Sequence, residues 1–420
     1  MKREWWHSLT VYQIYTRSFC DSNGDGIGDF GGILQKLDYL QELGVGAIWL
    51  SPFNDSPNCD NGYDVSDYYK VMEEAGTMEE LEELIAACEK REIVVMMDLV
   101  LNHSSHLHPW FLEARKDRNS KYHDFYIWKE GTKEQPPEGG GAFFGGSTWE
   151  WVPEVQEYYY HSFSVMQPDL NWKNPSLRKE LYRMIQFWMD KGIRGFRLDA
   201  IDNIVKDGHG GNDTHSEQIH TYLMEMNQNT YGKSEQILTV GETGGATVEM
   251  AQQYSDPESQ ELSMIFQFEL MGIDGIRSGN WDPKPYTLPQ LKQLFEKWQT
   301  GLEEKGWNSL FWGNHDFPRV VSRFGNDREP YREKSAKMLA VLLHGMKGTP
   351  YIYRQRECLQ DADQMAVHHQ VLHPAVHHLH RARYQQTELR FLSLTKTPEA
   401  IPLMIQLQKQ LRKKQVSKFR

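Results

Sequence analysis

Apolar positions along the chain follow two rhythms. Short continuous runs, bounded by Gly and turn residues, occupy residues 11–15, 47–51, 94–100, 195–200, 237–242, 263–269, 308–312 and 349–353. Runs of this kind read as buried parallel strands. Between the first two, Ile33, Leu34, Leu37, Leu40 and Leu43 keep a 3.6-residue period, and Gly44 stands where a helix C-terminal cap would. Between the next two, Thr77 and Glu80 form a capping-box pattern ahead of a stripe of Leu81, Leu84, Ile85 and Cys88. Further amphipathic stretches cover 177–191, 288–304 and 333–344. Strands alternating with helices predict an α/β fold, and eight such units predict a (β/α)₈ TIM barrel with its active site at the C-terminal strand ends.

The rhythm lapses once. Residues 104–172 show little helical period, many aromatics and a Gly-rich stretch at 139–146. A structureless loop of that length is rare, so a small inserted domain after the third strand, walling one side of the site, is expected. The expected organisation is a barrel of residues 1–103 and 172–353, an inserted domain of 104–171, and a tail of 354–420.

Two of the runs end in carboxylates. GFRLDA (195–200) places Arg197 and Asp199 on one strand face, and the cation is expected to keep Asp199 ionised. ILTVGE (237–242) ends in Glu242 with no cation within two residues, which leaves it free to hold a proton. One charged and one protonated carboxyl are what glycosidic bond cleavage requires. A structural ion pair beside a strand-end Glu is the plainer alternative. His103 after the third strand, and Asn314, His315 and Asp316 after the seventh, fall at the same end of the barrel. A neutral imidazole there both donates to and accepts from sugar hydroxyls. Of the tryptophans, Trp49, Trp149 and Trp312 are placed where a site contact is plausible.

Composition narrows the setting. A formal net charge of -12 argues against a nucleic-acid partner. Mean hydropathy is -0.66, no apolar run approaches about 18 residues, and MKREWWHSLT carries no secretory apolar segment, so a cytoplasmic protein without a membrane partner is expected. Cys20, Cys59, Cys88 and Cys358 show neither metal nor disulfide spacing, which suits a reducing compartment. The run DSNGDGIGD sets Asp21, Asn23, Asp25, the Ile27 carbonyl and Asp29 at alternate positions around Gly26, like the first nine positions of an EF-hand loop. Its twelfth position is Gly32 rather than Glu, so a lone structural Ca²⁺ or Mg²⁺ is expected there, or an Asp/Gly-rich turn without metal. No organic cofactor is expected.

Four motifs in this order resemble the α-amylase family of glycoside hydrolases (family 13). They are DLVLNH (98–103), GFRLDA, the Glu of GET (241–243) and NHD (314–316). DNGYDVSDYY (60–69), FFGGSTWEW (143–151), QPDLN (167–171) and WNSLFWGNHD (307–316) are similar to the oligo-1,6-glucosidase/α-glucosidase subgroup. The resemblance implies Asp199 as nucleophile, Glu242 as general acid/base and Asp316 as the carboxylate gripping sugar hydroxyls. Tyr63, Asp64, His103, Phe144, Arg197 and His315 would line the glucose pocket. Loops like 21–29 hold a metal in this subgroup. A monomeric, retaining exo-acting α-glucosidase on short oligosaccharides follows, with oligo-1,6-glucosidase or trehalose-6-phosphate hydrolase as alternatives. Ala200, after the nucleophile, leans slightly toward maltose-like over isomaltose-like substrates, since α-1,6-preferring relatives tend to carry Val there.

After Tyr353 the composition breaks. The last 67 residues hold no Gly and no Trp, carry 12 basic against 5 acidic residues, and crowd six His between His368 and His380. The expected reading is a shifted reading frame or recombined gene end near Arg354, with a His-rich metal-binding tail as the rival. The subgroup's eighth helix, its C-terminal β-sandwich and the Arg that pairs with Asp64 then have no counterpart. An inactive or poorly soluble chain is the corresponding expectation, and a non-catalytic sugar-binding protein the alternative of another class.

Overall fold

The computed structural model describes residues 4–275 and 284–353. Among the described residues, one sheet has eight parallel strands: β1 (Val11–Ile14), β2 (Ala47–Leu50), β3 (Val94–Val100), β4 (Gly195–Asp199), β5 (Leu238–Glu242), β6 (Met264–Phe266), β7 (Ser309–Leu310) and β8 (Thr349–Tyr353). Their order is β6-β5-β4-β3-β2-β1-β8-β7, and one parallel bridge between Ile265 and Asn308 joins the two ends into a ring. The eight apolar runs are therefore the eight staves of a TIM barrel. Arg197 lies opposite Asp98 on β3 and Val240 on β5.

Helices pack outside the ring. The first predicted helix is two short ones, α1 (Phe30–Gln35) and α2 (Leu37–Glu42), because Lys36 between them leaves helical geometry (φ -105°, ψ 4°). Gly44 ends the pair at φ 81°, a conformation glycine adopts without a steric penalty. In α3 (Met78–Glu89) the capping box forms as read: Thr77 Oγ1 accepts from Glu80 N (3.2 Å) and Glu80 Oε2 accepts from Thr77 N (2.7 Å). Leu81, Leu84, Ile85 and Cys88 are its buried stripe. The later helices are α4 (Pro175–Asp190), α5 (Glu217–Asn229), α6 (Val248–Ser255), α7 (Leu288–Gly301) and α8 (Arg332–His344). The pattern missed α5 and α6, which start on the side-chain caps Ser216 and Thr247.

Between β3 and β4 the chain leaves the barrel for a short helix (Pro109–Ala114) and a three-stranded antiparallel sheet. Glu157–Tyr160 is the central strand, flanked by Trp128–Glu130 and Trp149–Val152. The segment returns through Leu170, whose N–H donates to the Asn102 carbonyl (2.8 Å). Among the described residues no helix is long and apolar enough to cross a membrane. Cys59 and Cys88 are free, but Cys20 takes part in a disulfide, which corrects the expectation of unpaired cysteines. Cys358, the six clustered His and the whole tail lie outside the described residues.

Candidate active site

At the C-terminal ends of β3, β4 and β5, one guanidinium binds three carboxylates. Arg197, buried, donates from Nη1 to Asp98 Oδ1 (2.7 Å) and Asp199 Oδ1 (2.5 Å), and its Nη2 lies 2.7 Å from Glu242 Oε2. The strand alternation explains the Asp199 contact. The Glu242 contact comes from the neighbouring strand, so the expectation that Glu242 lacks a cation fails across the sheet. Asp98 also accepts from Trp49 Nε1 (3.1 Å) and the Tyr63 hydroxyl (3.0 Å). Donors thus meet both of its oxygens, yet burial pushes the Asp98 carboxyl up to about 7, against the pull of Arg197 and helped by the charge of Asp199.

Burial then competes with Arg197. It pushes Asp199 up from its ordinary value, with Arg197 pulling the other way, so the simple expectation of a depressed Asp199 does not hold. Burial likewise pushes Glu242 up to about 6, against the pull of Arg197 and helped by the charges of Asp199 and Asp316. Such groups titrate as a set, and a set of carboxyls around one cation retains a proton to higher pH than any carboxyl alone. Glu242 is also held by the backbone. Ala200 N–H donates to its Oε2 (2.9 Å), made possible by a left-handed turn at Ala200 (φ 41°, ψ 39°) directly after the nucleophile candidate. A non-Gly residue there carries strain, of the kind found where positioning matters.

Tyr63 and His315 form the next wall. Their rings stack (5.4 Å, 6° apart), the Tyr63 hydroxyl lies 2.8 Å from His315 Nε2, and Gln13 Nε2 lies 2.9 Å from His315 Nδ1. His103 is fully enclosed, with Nε2 facing the Tyr63 carbonyl (2.9 Å) and Nδ1 facing Asn102 Nδ2 (3.1 Å). Burial lowers both imidazoles below the usual range, so each is neutral. Asp316 stands apart: its side chain is half-exposed, with Asn314 Nδ2 at 3.3 Å and His315 Nε2 at 3.5 Å. Phe144 is exposed at the rim, beside Phe163 (5.8 Å), which in turn packs on His103 (5.1 Å). Trp49 meets the cluster; Trp149 lies in the inserted sheet and Trp312 donates to the Leu339 carbonyl (2.9 Å).

Asp64 is placed differently from expectation. Its carboxylate is fully buried and takes Ser56 Oγ (2.9 Å), Cys59 N (3.0 Å) and Asp60 N (3.0 Å), which makes it the brace of its own loop. The acid that faces the pocket is Asp60. It accepts from Gln167 Nε2 (2.8 Å), burial pushes it up to about 6, and the charges of Asp199 and His103 reach it. The motif DNGYD contains both residues, and only the fold of the loop separates their roles. Sequence reading also passed over Asp98 and Lys206. The Lys206 ammonium joins Asp169 Oδ2 (2.6 Å), Asn102 Oδ1 (2.8 Å), Asn212 Oδ1 (2.9 Å) and the Asn203 carbonyl (2.5 Å), tying the inserted domain to the barrel.

In the loop after β1, Asp21 accepts from the N–H groups of Asn23, Gly24 and Gly26 (3.1, 2.7 and 2.8 Å), and those bonds lower its carboxyl. Asn23 and Asp25 bond the N–H groups of Asp25 and Ile27. Asp29 caps α1 through Gly32 N (2.6 Å) and takes Ser22 on its other oxygen. Four of the five thus line one loop, while Asp29 is turned toward the helix. Among the described residues no group of three or more His, Cys, Asp or Glu converges as a metal cage. The donors are all oxygens, which fits a hard cation and no softer metal.

A family model described as the alpha amylase catalytic domain matches residues 13–386. The chain is 52% identical over 371 residues to an oligo-1,6-glucosidase of Bacillus cereus, covering 85% of this chain and 66% of that protein. It is 52% identical over 361 residues to a glucan 1,6-alpha-glucosidase of Streptococcus pneumoniae, with the same coverages. The crystal structure of isomaltulose synthase from Klebsiella sp. LX3 superposes with a TM-score of 0.81 at 42% identity, covering 84% of this chain and 66% of that one. The chain therefore spans just under two thirds of the length of these relatives.

Proposed function

The chain belongs to the α-amylase family, and on that premise we propose that it is a retaining exo-acting α-glucosidase for short oligosaccharides. The observation that carries the reading is Arg197 bridging Asp199 on β4 and Glu242 on β5, so that two carboxyls of unlike environment share one buried site. Asp199 attacks the anomeric carbon while Glu242 gives its proton to the leaving oxygen; Glu242 then takes a proton from water as the glucosyl–Asp199 ester is cleaved. Arg197 favours the ionised form of Asp199, and Ala200 N–H fixes the Glu242 carboxyl. Neutral His103 and His315, with Asp60 and Asp316, supply hydrogen bonds to sugar hydroxyls. Phe144 and Phe163 form an apolar rim.

The test is release of 4-nitrophenol from its α-glucoside, with the first-formed glucose identified by NMR. α-Glucose, with activity removed by Asp199→Asn, supports the reading. β-Glucose would rule out double displacement, and no release with intact sugar binding would favour a non-catalytic binding protein.

Linkage divides into two readings. Ala200, small and buried, leaves room beneath the leaving sugar and favours α-1,4 bonds, whereas the names of the two relatives above favour α-1,6. One such position yields about 1–3 kcal/mol of discrimination. Comparing rates on maltose, isomaltose and trehalose 6-phosphate separates them. The same proposal includes a structural Ca²⁺ held by Asp21, Asn23, Asp25 and the Ile27 carbonyl, with Asp29 joining if it leaves its cap. Calcium should then raise the melting temperature, and Asp21→Asn should abolish that rise.

A further inference from the structure

Strand β1 is an apolar stave with one polar residue, and that residue turns inward. Tyr12 and Ile14 pack in the core shared with Ile33, Leu37 and Leu40 of the first helices, while Val11 packs with Ala47, Trp49 and Met96 of the neighbouring strands. Strand alternation puts Gln13 on the Val11 side, in register with Trp49. A buried amide there needs a hydrogen-bond partner. Gln13 Nε2 has one, His315 Nδ1 at 2.9 Å. The direction of that bond follows from groups that cannot reverse theirs. Arg197 Nη1 donates to Asp98 Oδ1 (2.7 Å), and Trp49 Nε1 donates to Asp98 Oδ2 (3.1 Å). Once Asp98 is ionised, the Tyr63 hydroxyl gives its single proton to Asp98 Oδ2 (3.0 Å). The Tyr63 oxygen, 2.8 Å from His315 Nε2, is then left to accept, so Nε2 carries the N–H of the ring. Burial holds His315 neutral, and a neutral imidazole has one such proton. Nδ1 is therefore bare and accepts from the Gln13 amide. The rings of Tyr63 (5.4 Å) and Tyr15 (6.1 Å) stack on His315 and hold its plane.

We propose that Gln13 is a positioning residue that fixes the tautomer of His315, so that the ring meets a sugar hydroxyl as a donor through Nε2. Which ring nitrogen holds the proton is set by the bond that the other one makes. Here Nδ1 faces the barrel interior and Gln13, while Nε2 lies 3.5 Å from Asp316 Oδ1 on the pocket side. A hydroxyl bound between these two accepts from Nε2–H and donates to the Asp316 carboxylate, which uses its one proton. In the other tautomer the same hydroxyl would face two acceptors and could satisfy only one. Gln13 acts through His315, from the opposite side of the ring.

The inference rests on the glucosidase reading for the role of His315, but the tautomer is read without turnover. Side-chain nitrogen-15 NMR of the histidine-labelled full chain is recorded at about pH 8.5, above the range in which Asp98 holds a proton. The His315 signals, identified by their loss in His315→Asn, should show a bare Nδ1 and a protonated Nε2. Gln13→Glu, close to the native shape, offers acceptors only and should bring a proton to Nδ1. Gln13→Leu should leave a mixture of both tautomers. A protonated Nδ1 in the native chain overturns the proposal, a reading that stands even if neither variant folds. So does a tautomer that moves in neither variant. Where the chain hydrolyses 4-nitrophenyl α-glucoside, Gln13→Leu should raise KM about tenfold and leave kcat within about twofold, as loss of one ground-state hydrogen bond does. Among the monodeoxy analogues of that substrate, one should erase the difference, because it lacks the hydroxyl that His315 meets. An equal rise in KM for every analogue would make Gln13 a structural residue only. A moved tautomer in a protein that hydrolyses no α-glucoside would uphold the hold of Gln13 on His315 and sink the glucosidase reading; activity with an unmoved tautomer would do the reverse.

Discussion

Strand β4 pairs with β3 through five residues and with β5 through four, and the three place Asp98, Arg197, Asp199 and Glu242 in one buried, ion-paired group. On the other side of the ring, β6 and β7 meet through the single bridge Ile265–Asn308, and the loop after β7 presents Asp316 half-exposed. Proton transfer and covalent attack depend on fixed distances, and those groups sit where the sheet ladder is longest. Gripping a hydroxyl tolerates more movement, and that group sits where the ladder is shortest. The closing half has its own anchor: Arg323 pairs with Asp274 (Nε–Oδ2 2.8 Å, Nη2–Oδ1 2.5 Å) and also donates to the Met271 carbonyl. That pair braces loops, where Arg197 braces reacting groups.

The largest expected effect follows from removing the shared cation. Arg197→Met leaves buried carboxyls without a partner and should cost about 3–5 kcal/mol in denaturant unfolding. A loss below about 1 kcal/mol would mean that the opening half is not organised around Arg197.

The pH dependence sharpens the same point. Burial raises Glu242 from 4.5 to about 6, so the folded state binds this proton more tightly than the unfolded chain does. Its contribution to stability is therefore full below pH 4.5 and is lost as pH rises through 6. Relative to Glu242→Gln, whose side chain cannot ionise, the native sequence should lose about 2 kcal/mol across that window. Parallel stability curves for the two proteins would show that burial does not govern Glu242.

A smaller effect compares the halves directly. Thr77 at the start of α3 and Thr287 at the start of α7 each close a capping box, with Glu80 and Gln290 respectively. Replacing either by Ala should cost about 1 kcal/mol. Amide exchange should then separate them: Thr287→Ala accelerates β6 and β7 while leaving β3–β5 protected. Equal acceleration everywhere would make the barrel a single cooperative unit and dissolve the contrast between its halves.

The barrel was readable because its signals are local. The apolar runs, the Thr77–Glu80 box and the Arg197–Asp199 spacing each lie within a few residues, and each is found in the structure. What was illegible depends on register or loop closure. The hold of Arg197 on Glu242 requires β4 to lie against β5 with Arg197 opposite Val240. That Asp64 braces its own loop, leaving Asp60 toward the pocket, depends on which carboxylate the N–H groups of Cys59 and Asp60 reach. The strands of the inserted segment pair Trp128 with Tyr159 and Trp149 with Tyr160, partners at separations that no periodicity records. Lys206 carries no motif, and its value lies wholly in four oxygens brought to it by three separate loops.

Asp316 offers the smallest stability effect and the cleanest separation of fold from function. Its side chain is half-exposed, its N–H bonds Asn314 Oδ1 (2.8 Å), and that bond does not involve the carboxylate. Asp316→Asn keeps the shape and the backbone bond while removing the charge, so stability should stay within about 0.5 kcal/mol. Because Asp316 also adds negative charge near Glu242, its removal should lower the Glu242 titration slightly, since water screens an exposed carboxylate. Hydrolysis of 4-nitrophenyl α-glucoside should nonetheless fall steeply, through loss of a charge-assisted hydrogen bond to the sugar. A destabilisation of 2 kcal/mol or more would show that the carboxylate is part of the architecture, and that the closing half of the barrel is held as firmly as the half that carries Asp199 and Glu242.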